Sequence, residues 1–329
     1  MLFKSVGQST ATSNAVFWVL LSQFLCGGAF SQSNALQPAS ALHQREVKLP
    51  GGRGFTLYSA DPTDESSVVS ICFWGRSYRT LEECDANLNW KSYPNLRHMC
   101  FYQADVNAIM LLYLGELDII TEIEFESSIP IGDITDAFRK LKKVKSLNAT
   151  FNEEKVGYFG FLPALTELEN LAIGEIDNVV SVGNIVKCDS LKELYIGVSR
   201  NTINSIPGLS RLSKLKRLKI YGLAEPKTTI QEITKIGEIE SIHLSDTYLD
   251  ADDLRNLTSL PHLVDLDISV LSSTVRSSDI RAENKIRKLR FFFVNGRFNQ
   301  RCLNSFQDLK NSKKLIGSMI TLSPLIYEL

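Results

Sequence analysis

The chain has 329 residues, of which 44% are hydrophobic and 22% charged, proportions of a folded protein rather than a disordered one. Its formal net charge is -1, from 36 Lys and Arg against 37 Asp and Glu. Such a balance generates no long-range field, so a general nucleic-acid binder or anionic-membrane binder is not expected, although local patches remain open.

The N-terminus differs from everything after it. Lys4 lies in a polar lead, and Ala15 to Leu25 form a short apolar run, AVFWVLLSQFL. Ala29-Phe30-Ser31 follow, with small residues where a signal peptidase reads its site. The expected elements are a secretory signal peptide over residues 1–31 and a disordered tether rich in Ser, Ala and Gln over 32–44. The run is short for a membrane span, so no stable span is expected once the signal is removed. An uncleaved anchor is one alternative. A lipid anchor at Cys26 is another, opposed by the bulky Phe24 and Leu25 before it. Next, Glu46-Val-Lys-Leu49 and Phe55-Thr-Leu57-Tyr58 flank Pro50-Gly-Gly-Arg-Gly54. That pattern predicts a hairpin over 45–67 capping the open end of a core.

From residue 68 a phrase of the form Leu-x-x-Leu-x-(Ile/Leu/Phe) recurs. Copies begin at Leu96, Ile120, Val144, Leu168, Leu191, Leu215, Ile239, Leu263 and Ile286, at steps of 24, 24, 24, 23, 24, 24, 24 and 23 residues. Weaker copies begin at Val68 and Leu315. A fixed period in the twenties is what a stacked solenoid leaves in sequence, because each unit buries its apolar face only against its neighbours. The phrase alternates apolar and polar residues, which predicts a half-buried strand. Upstream, apolar residues return every three positions: Ile206, Leu209 and Leu212; Ile230, Ile233 and Ile236; Leu254, Leu257 and Leu260. Steps of three suit a 3-10 or short α-helical turn pressed on the sheet. Parallel strands stack about 4.8 Å apart while the helical side is bulkier, so the stack curves with its strands inside.

On these residues the chain resembles the leucine-rich-repeat proteins, closest to the internalin-like and phosphatase-regulator-like class, over residues 68–322. The resemblance implies an α/β solenoid over 68–329, a curved stack of about 10–11 repeats with a parallel β-sheet on the concave face and short helical turns on the convex face. One departure stands out. The Asn usual three residues after the strand's last apolar position is replaced by Ile176, Ser199, Leu223, Thr247 and Leu271. Some other pairing must satisfy the turn backbone.

Alternate strand residues face the concave side and carry the candidate site. Charges fall in bands: Glu122, Glu124 and Glu126; Arg217 and Lys219; Asp265 and Asp267; Lys288 and Arg290. Bands of opposite sign would orient a charged partner. The competing reading is that they neutralise one another across strands. Aromatic Trp74, Tyr102, Tyr195, Tyr221 and Phe292 sit at the rim position, as binding anchors or as packing against neighbours. Small Ala172, Gly174 and Gly197 leave a shallow trough in the middle. The expected partner-binding set is Glu122, Glu124, Glu126, Tyr195, Arg217, Lys219, Tyr221, His243, Asp265 and Asp267, with reversal of Glu124 and Lys219 expected to reduce capture without altering folding.

His243 should lie between Lys219 and Asp267, making a His–Asp contact possible, but no nucleophile sits in the strained turn that such chemistry uses. His98 with Cys72 and Cys100 forms a corner lacking a fourth metal ligand. No phosphate-binding Gly loop is present either, so no catalytic residue, metal or cofactor is expected.

Removing the signal leaves five of the six cysteines. Cys72 and Cys100 share a phase in successive repeats, which predicts a disulfide between adjacent strands, with Cys84 as the rival partner. Cys188 stands at a core position and Cys302 is unplaced. The sequons Asn148-Ala-Thr150 and Asn256-Leu-Thr258 matter only in a glycosylating host, and a glycan on Asn148 would obstruct the concave face. Together these features point to a secreted, periplasmic or cell-surface scaffold for a protein or peptide ligand. An intracellular regulatory subunit resembling phosphatase regulators, and a carbohydrate or lipid-pattern receptor using the rim aromatics, are the alternatives.

Overall fold

The computed structural model describes residues 42–49, 53–75, 92–115, 118–126, 129–131, 135–150, 159–176, 179–198, 205–223, 226–271, 279, 288–294 and 319–325. The expected signal peptide, Cys26, Cys84 and Cys302 lie outside them, as does the expected tether up to residue 41.

Among the described residues fourteen strands form the sheet system: β1 His43–Leu49, β2 Arg53–Ser59, β3 Val68–Gly75, β4 His98–Asn107, β5 Glu122–Glu126, β6 Ile129–Ile131, β7 Ser146–Thr150, β8 Asn170–Ile176, β9 Glu193–Val198, β10 Arg217–Tyr221, β11 Ser241–Leu249, β12 Asp265–Leu271, β13 Lys288–Val294 and β14 Met319–Leu325. They pair in chain order, except that β6 pairs with the end of β4 and β5 passes directly to β7. The first three are antiparallel, so a hairpin joins the edge of the stack; β1 begins at His43, inside the stretch expected to be tether. From β3 onward neighbours are parallel, as a solenoid requires.

Register follows the repeat phrase. Leu194, Leu218, Ile242, Leu266 and Leu289 stand opposite one another on successive strands. A slip of one residue would turn every apolar side chain to solvent, which pins that alignment. The last strand differs from its expected phase by two residues. Ile320, not Ser318, lies opposite Leu289, and Leu322 lies opposite Phe291. The even shift preserves facing and replaces a polar Ser by an apolar residue at the phrase position.

The helical side comprises α1 Ala108–Gly115, α2 Thr135–Phe138, α3 Val179–Ile185, α4 Lys227–Ile233 and α5 Ala251–Thr258, with 3-10 turns at Leu162–Ala164 and Leu209–Arg211. The residues spaced by three point inward: Ile230, Ile233, Leu254 and Leu257 join the same core as Leu218, Ile242 and Leu266. Helix α5 starts with a capping box in which the Asp250 carboxylate accepts from the Asp253 N–H.

At the N-terminal end the core is aromatic. Phe73, Phe101 and Phe125 stack with centroids 5.4 and 5.1 Å apart, and Phe125 meets Phe138 at 6.2 Å. Phe138 stacks on Phe161 at 4.0 Å. Strand β7 carries small Ala149 opposite Phe125, so the ring from α2 occupies space that a strand Phe would have taken.

The absent Asn ladder is replaced piecemeal. Buried Thr247, at one of those positions, donates its hydroxyl to the Ser245 carbonyl at 3.0 Å, and the Gly222 N–H donates to the same oxygen at 3.0 Å. On the convex side the Thr229 hydroxyl accepts from the Ile206 N–H at 2.9 Å.

Candidate binding face

Alternation fixes which side chains line the sheet's outer face. Along β5 the inward Ile123 and Phe125 are buried while Glu122, Glu124 and Glu126 are half-exposed; β10 likewise buries Leu218 and Ile220 and leaves Arg217, Lys219 and Tyr221 outward. The register then sorts the outward residues into rows. One row runs Cys72, Cys100, Glu124, Asn148, Ala172, Tyr195, Lys219, His243 and Asp267.

At the N-terminal end of that row Cys72 and Cys100 are disulfide-bonded, with Cα atoms 4.3 Å apart. Beside them a polar chain crosses four strands. The Ser70 hydroxyl contacts His98 Nδ1 at 2.7 Å, His98 Nε2 lies 3.7 Å from Glu124 Oε2, and the Asn148 amide donates to Glu124 Oε1 at 2.8 Å. Burial opposes ionisation of Glu124, yet His98 and Asn148 hold its carboxyl below the usual range. Glu126 is affected oppositely: burial and the neighbouring Glu124 push it up. Tyr102, opposite Glu126, is 43% exposed and is the exposed large hydrophobic residue among those described.

At the other end, Arg217 forms an ion pair with buried Glu193 on the preceding strand. His243 bridges Asp267 and Ser245, with Nδ1 3.3 Å from Asp267 Oδ2 and Nε2 2.5 Å from the Ser245 hydroxyl. Burial, then the neighbouring Tyr221, pushes the Tyr195 phenol up to about 12, so it is a neutral hydrogen-bonding group at ordinary pH. Lys288 and Arg290 are in register with Asp265 and Asp267.

The structure therefore joins some candidates and separates others. Arg217, Lys219, Tyr221, Tyr195 and His243 share adjacent strands, with Asp265 and Asp267 one strand further on. The glutamates of β5 stand four strand steps from β10, about 19 Å at ordinary sheet spacing. Ser70, His98, Glu193 and Ser245 contribute contacts that the strand-by-strand reading overlooked. Their repeat phase was the available signal.

Ser70, His98 and Glu124 follow the order of a proton relay, but they do not make a hydrolytic centre. Ser70 lies in mid-strand, 9% exposed, and the N–H groups around it belong to the β-ladder rather than converging on an oxyanion. The chain of contacts couples strands. Among the described residues there is no cluster of three or more His, Cys, Asp or Glu side chains placed to hold a metal, and no helix is long and apolar enough to cross a membrane. Cys188 is buried on the core side, where burial, then Asp189, pushes its thiol up to about 12.

A unit of 23 or 24 residues that supplies one parallel strand in fixed register and one helical return defines a leucine-rich-repeat solenoid. That is the fold of this chain. Neither a protein-family model nor a curated protein sequence matches the chain. Among solved structures it is similar to an internalin of Listeria monocytogenes, at 15% identity and a TM-score of 0.49, with 79% of this chain and 83% of that one covered. It is also similar to the Toll–Spätzle complex of Drosophila, at 10% identity and a TM-score of 0.49, covering 87% of this chain and 47% of that chain. A leucine-rich-repeat protein of Leptospira interrogans is similar at 12% identity and a TM-score of 0.39, with 70% and 73% covered. The fold assignment rests on the repeats and their register.

Proposed function

We propose that the protein is an exported, non-enzymatic scaffold that holds a protein or peptide segment on its concave sheet face. The observation that carries this reading is the outward side of the parallel sheet. Its core-facing residues are sealed, while its other face presents half-exposed Glu, Tyr, Lys and His side chains in register. The helices' apolar residues join the opposite face, so they do not cover it. A disulfide between Cys72 and Cys100 suits an oxidising compartment, and the N-terminal pattern suits export.

Two measurements separate the halves of the proposal. Intact mass of the protein from its native host, alkylated with and without prior reduction, should begin at Gln32 and contain a disulfide. Full-length mass with every thiol alkylated would place the protein in a reducing compartment. For the face itself, Ala172 is 5% exposed between Asn148 and Tyr195, so Ala172→Arg projects a long side chain into the middle row. Capture of the protein's partner should be lost in Ala172→Arg and retained in Asn256→Arg, on the convex helix α5. Equal capture by two folded variants would remove the partner from the concave sheet.

A further inference from the structure

We infer that the protein pairs with a second copy of itself through the open edge of β1, the two strands running antiparallel about a twofold axis at Val47. The inference goes beyond the concave-face reading and does not depend on it.

Strand β1 stands first in the sheet order, and among the described residues it pairs with β2 alone. Alternate residues of such an edge aim their N–H and C=O groups away from the sheet, where a further strand can meet them. All seven residues from His43 to Leu49 pair with β2 in unbroken register, so the edge is extended over its whole length. The fold makes little use of its side chains. His43, Gln44, Arg45, Glu46 and Lys48 are exposed, while Val47 packs partly against the core opposite Phe55.

Charged residues on an edge usually repel an incoming strand. The order of charges on β1 removes that defence in one register. A twofold axis perpendicular to the sheet preserves the facing of every side chain, so it must pass through a residue position rather than between two. An axis at Arg45 sets Arg45 against Arg45, and an axis at Glu46 sets Glu46 against Glu46. Moved to Lys48, it opposes two lysines and leaves little of the strand paired. At Val47 the pattern Glu46-Val47-Lys48 becomes self-complementary: Glu46 meets Lys48 of the second copy, Lys48 meets its Glu46, and the two valines meet between them. Residues 45 to 49 of each copy then pair, with Arg45 opposite Leu49.

Forming these pairs disrupts little. Lys48 and Glu46 of one chain lie 3.8 Å apart with side chains 76% and 53% exposed, a loose contact that exchanges for two crossed ones. A net charge of -1 adds little long-range repulsion between copies. Gln44, Glu46 and Lys48 belong to the concave side, because they align through Tyr58, Thr56 and Gly54 with Ser70, Cys72 and Trp74. The perpendicular axis keeps that side common to both copies. The pair therefore presents two concave faces in one direction, and a partner held on one raises the effective concentration at the other.

The test is sedimentation velocity of the whole protein across the micromolar range, where a monomer–dimer equilibrium is expected. Glu46→Lys and Lys48→Glu each set two like-charge pairs across the axis and should weaken dimerisation about tenfold. Mixed in equal amounts, the two variants restore opposite charges at both positions and should associate at least as tightly as the wild type. Both side chains are exposed, and circular dichroism controls for folding. In hydrogen exchange, β1 amides should gain protection as concentration rises. A monomer throughout that range would overturn the inference, as would a dimer indifferent to both variants. A mixture no tighter than either variant alone would overturn the register. Protection of β1 that does not depend on concentration would show the edge already covered within one chain, and would overturn the pairing.

Discussion

Replacing Phe125 by Ala should loosen the N-terminal repeats and leave the C-terminal ones unchanged. Phe125 is fully buried, stacks on Phe101 at 5.1 Å with an interplanar angle of 13°, and meets Phe138 at 6.2 Å. Truncation removes the ring's transfer energy and opens a cavity, together costing about 3–5 kcal/mol in a packed core. Within that figure each lost aromatic pair accounts for about 0.5–1.5 kcal/mol. Contacts in a solenoid run between neighbouring repeats, so the cost should stay local. Native-state hydrogen exchange reads this directly. Amides of β4, β5 and β7 should lose most of their protection, while those of β10 to β12 keep theirs. The companion Ile220→Ala, also fully buried, should invert the pattern at a cost of about 2–5 kcal/mol. Uniform loss of protection from β3 to β12 in both variants would refute nearest-neighbour coupling.

Other outcomes follow from single contacts. Cys72 and Cys100 are 28 residues apart, so on the loop-entropy model the Cys72→Ala/Cys100→Ala variant should lose about 3.5 kcal/mol against the oxidised protein. Coincident urea midpoints would contradict that. Glu232 is held down to about 2 by hydrogen bonds from Lys235 and Ser210. A lowered carboxyl contributes stability above its ordinary value near 4.5 that is lost as pH falls toward 2. Glu232→Gln should therefore destabilise at pH 7 by under about 1 kcal/mol, with the difference vanishing near pH 2 in acid titrations. Gly222 has φ +81°, and an added Cβ would meet the Val198 carbonyl oxygen at 2.7 Å. Gly222→Ala should cost roughly 1–2 kcal/mol in urea unfolding, through left-handed backbone strain and that collision.

The repeat phrase made the architecture legible, because a 24-residue step and a two-residue alternation together specify both the stack and the facing of each strand. The same phase placed Cys72 beside Cys100 and put Cys188 in the core. Charge pairing was harder to read. Arg217 groups with Lys219 along its own strand in the sequence, whereas the structure gives it Glu193, one repeat back and buried in the sheet. From the sequence, Glu124 reads as a site for charge reversal without effect on folding. Its contacts to His98 and Asn148 tie three strands together, so its reversal would disturb the fold, and Glu122 with Glu126 serve that purpose better. The Phe138–Phe161 stack was invisible because those rings come from returns, where no phrase position marks them. The β4–β6 pairing was missed for a similar reason: Ile129–Ile131 is three residues long and contains Pro130.

The central claim is that partners dock on the sheet face. Its most direct test is photo-crosslinking with a benzophenone amino acid placed at exposed Tyr102 on the concave rim or at exposed Asn256 on convex helix α5, in protein presented to its native surroundings. The account predicts an adduct from position 102, competed by an excess of unlabelled wild-type protein, and none from position 256. An adduct from position 256 alone would contradict it.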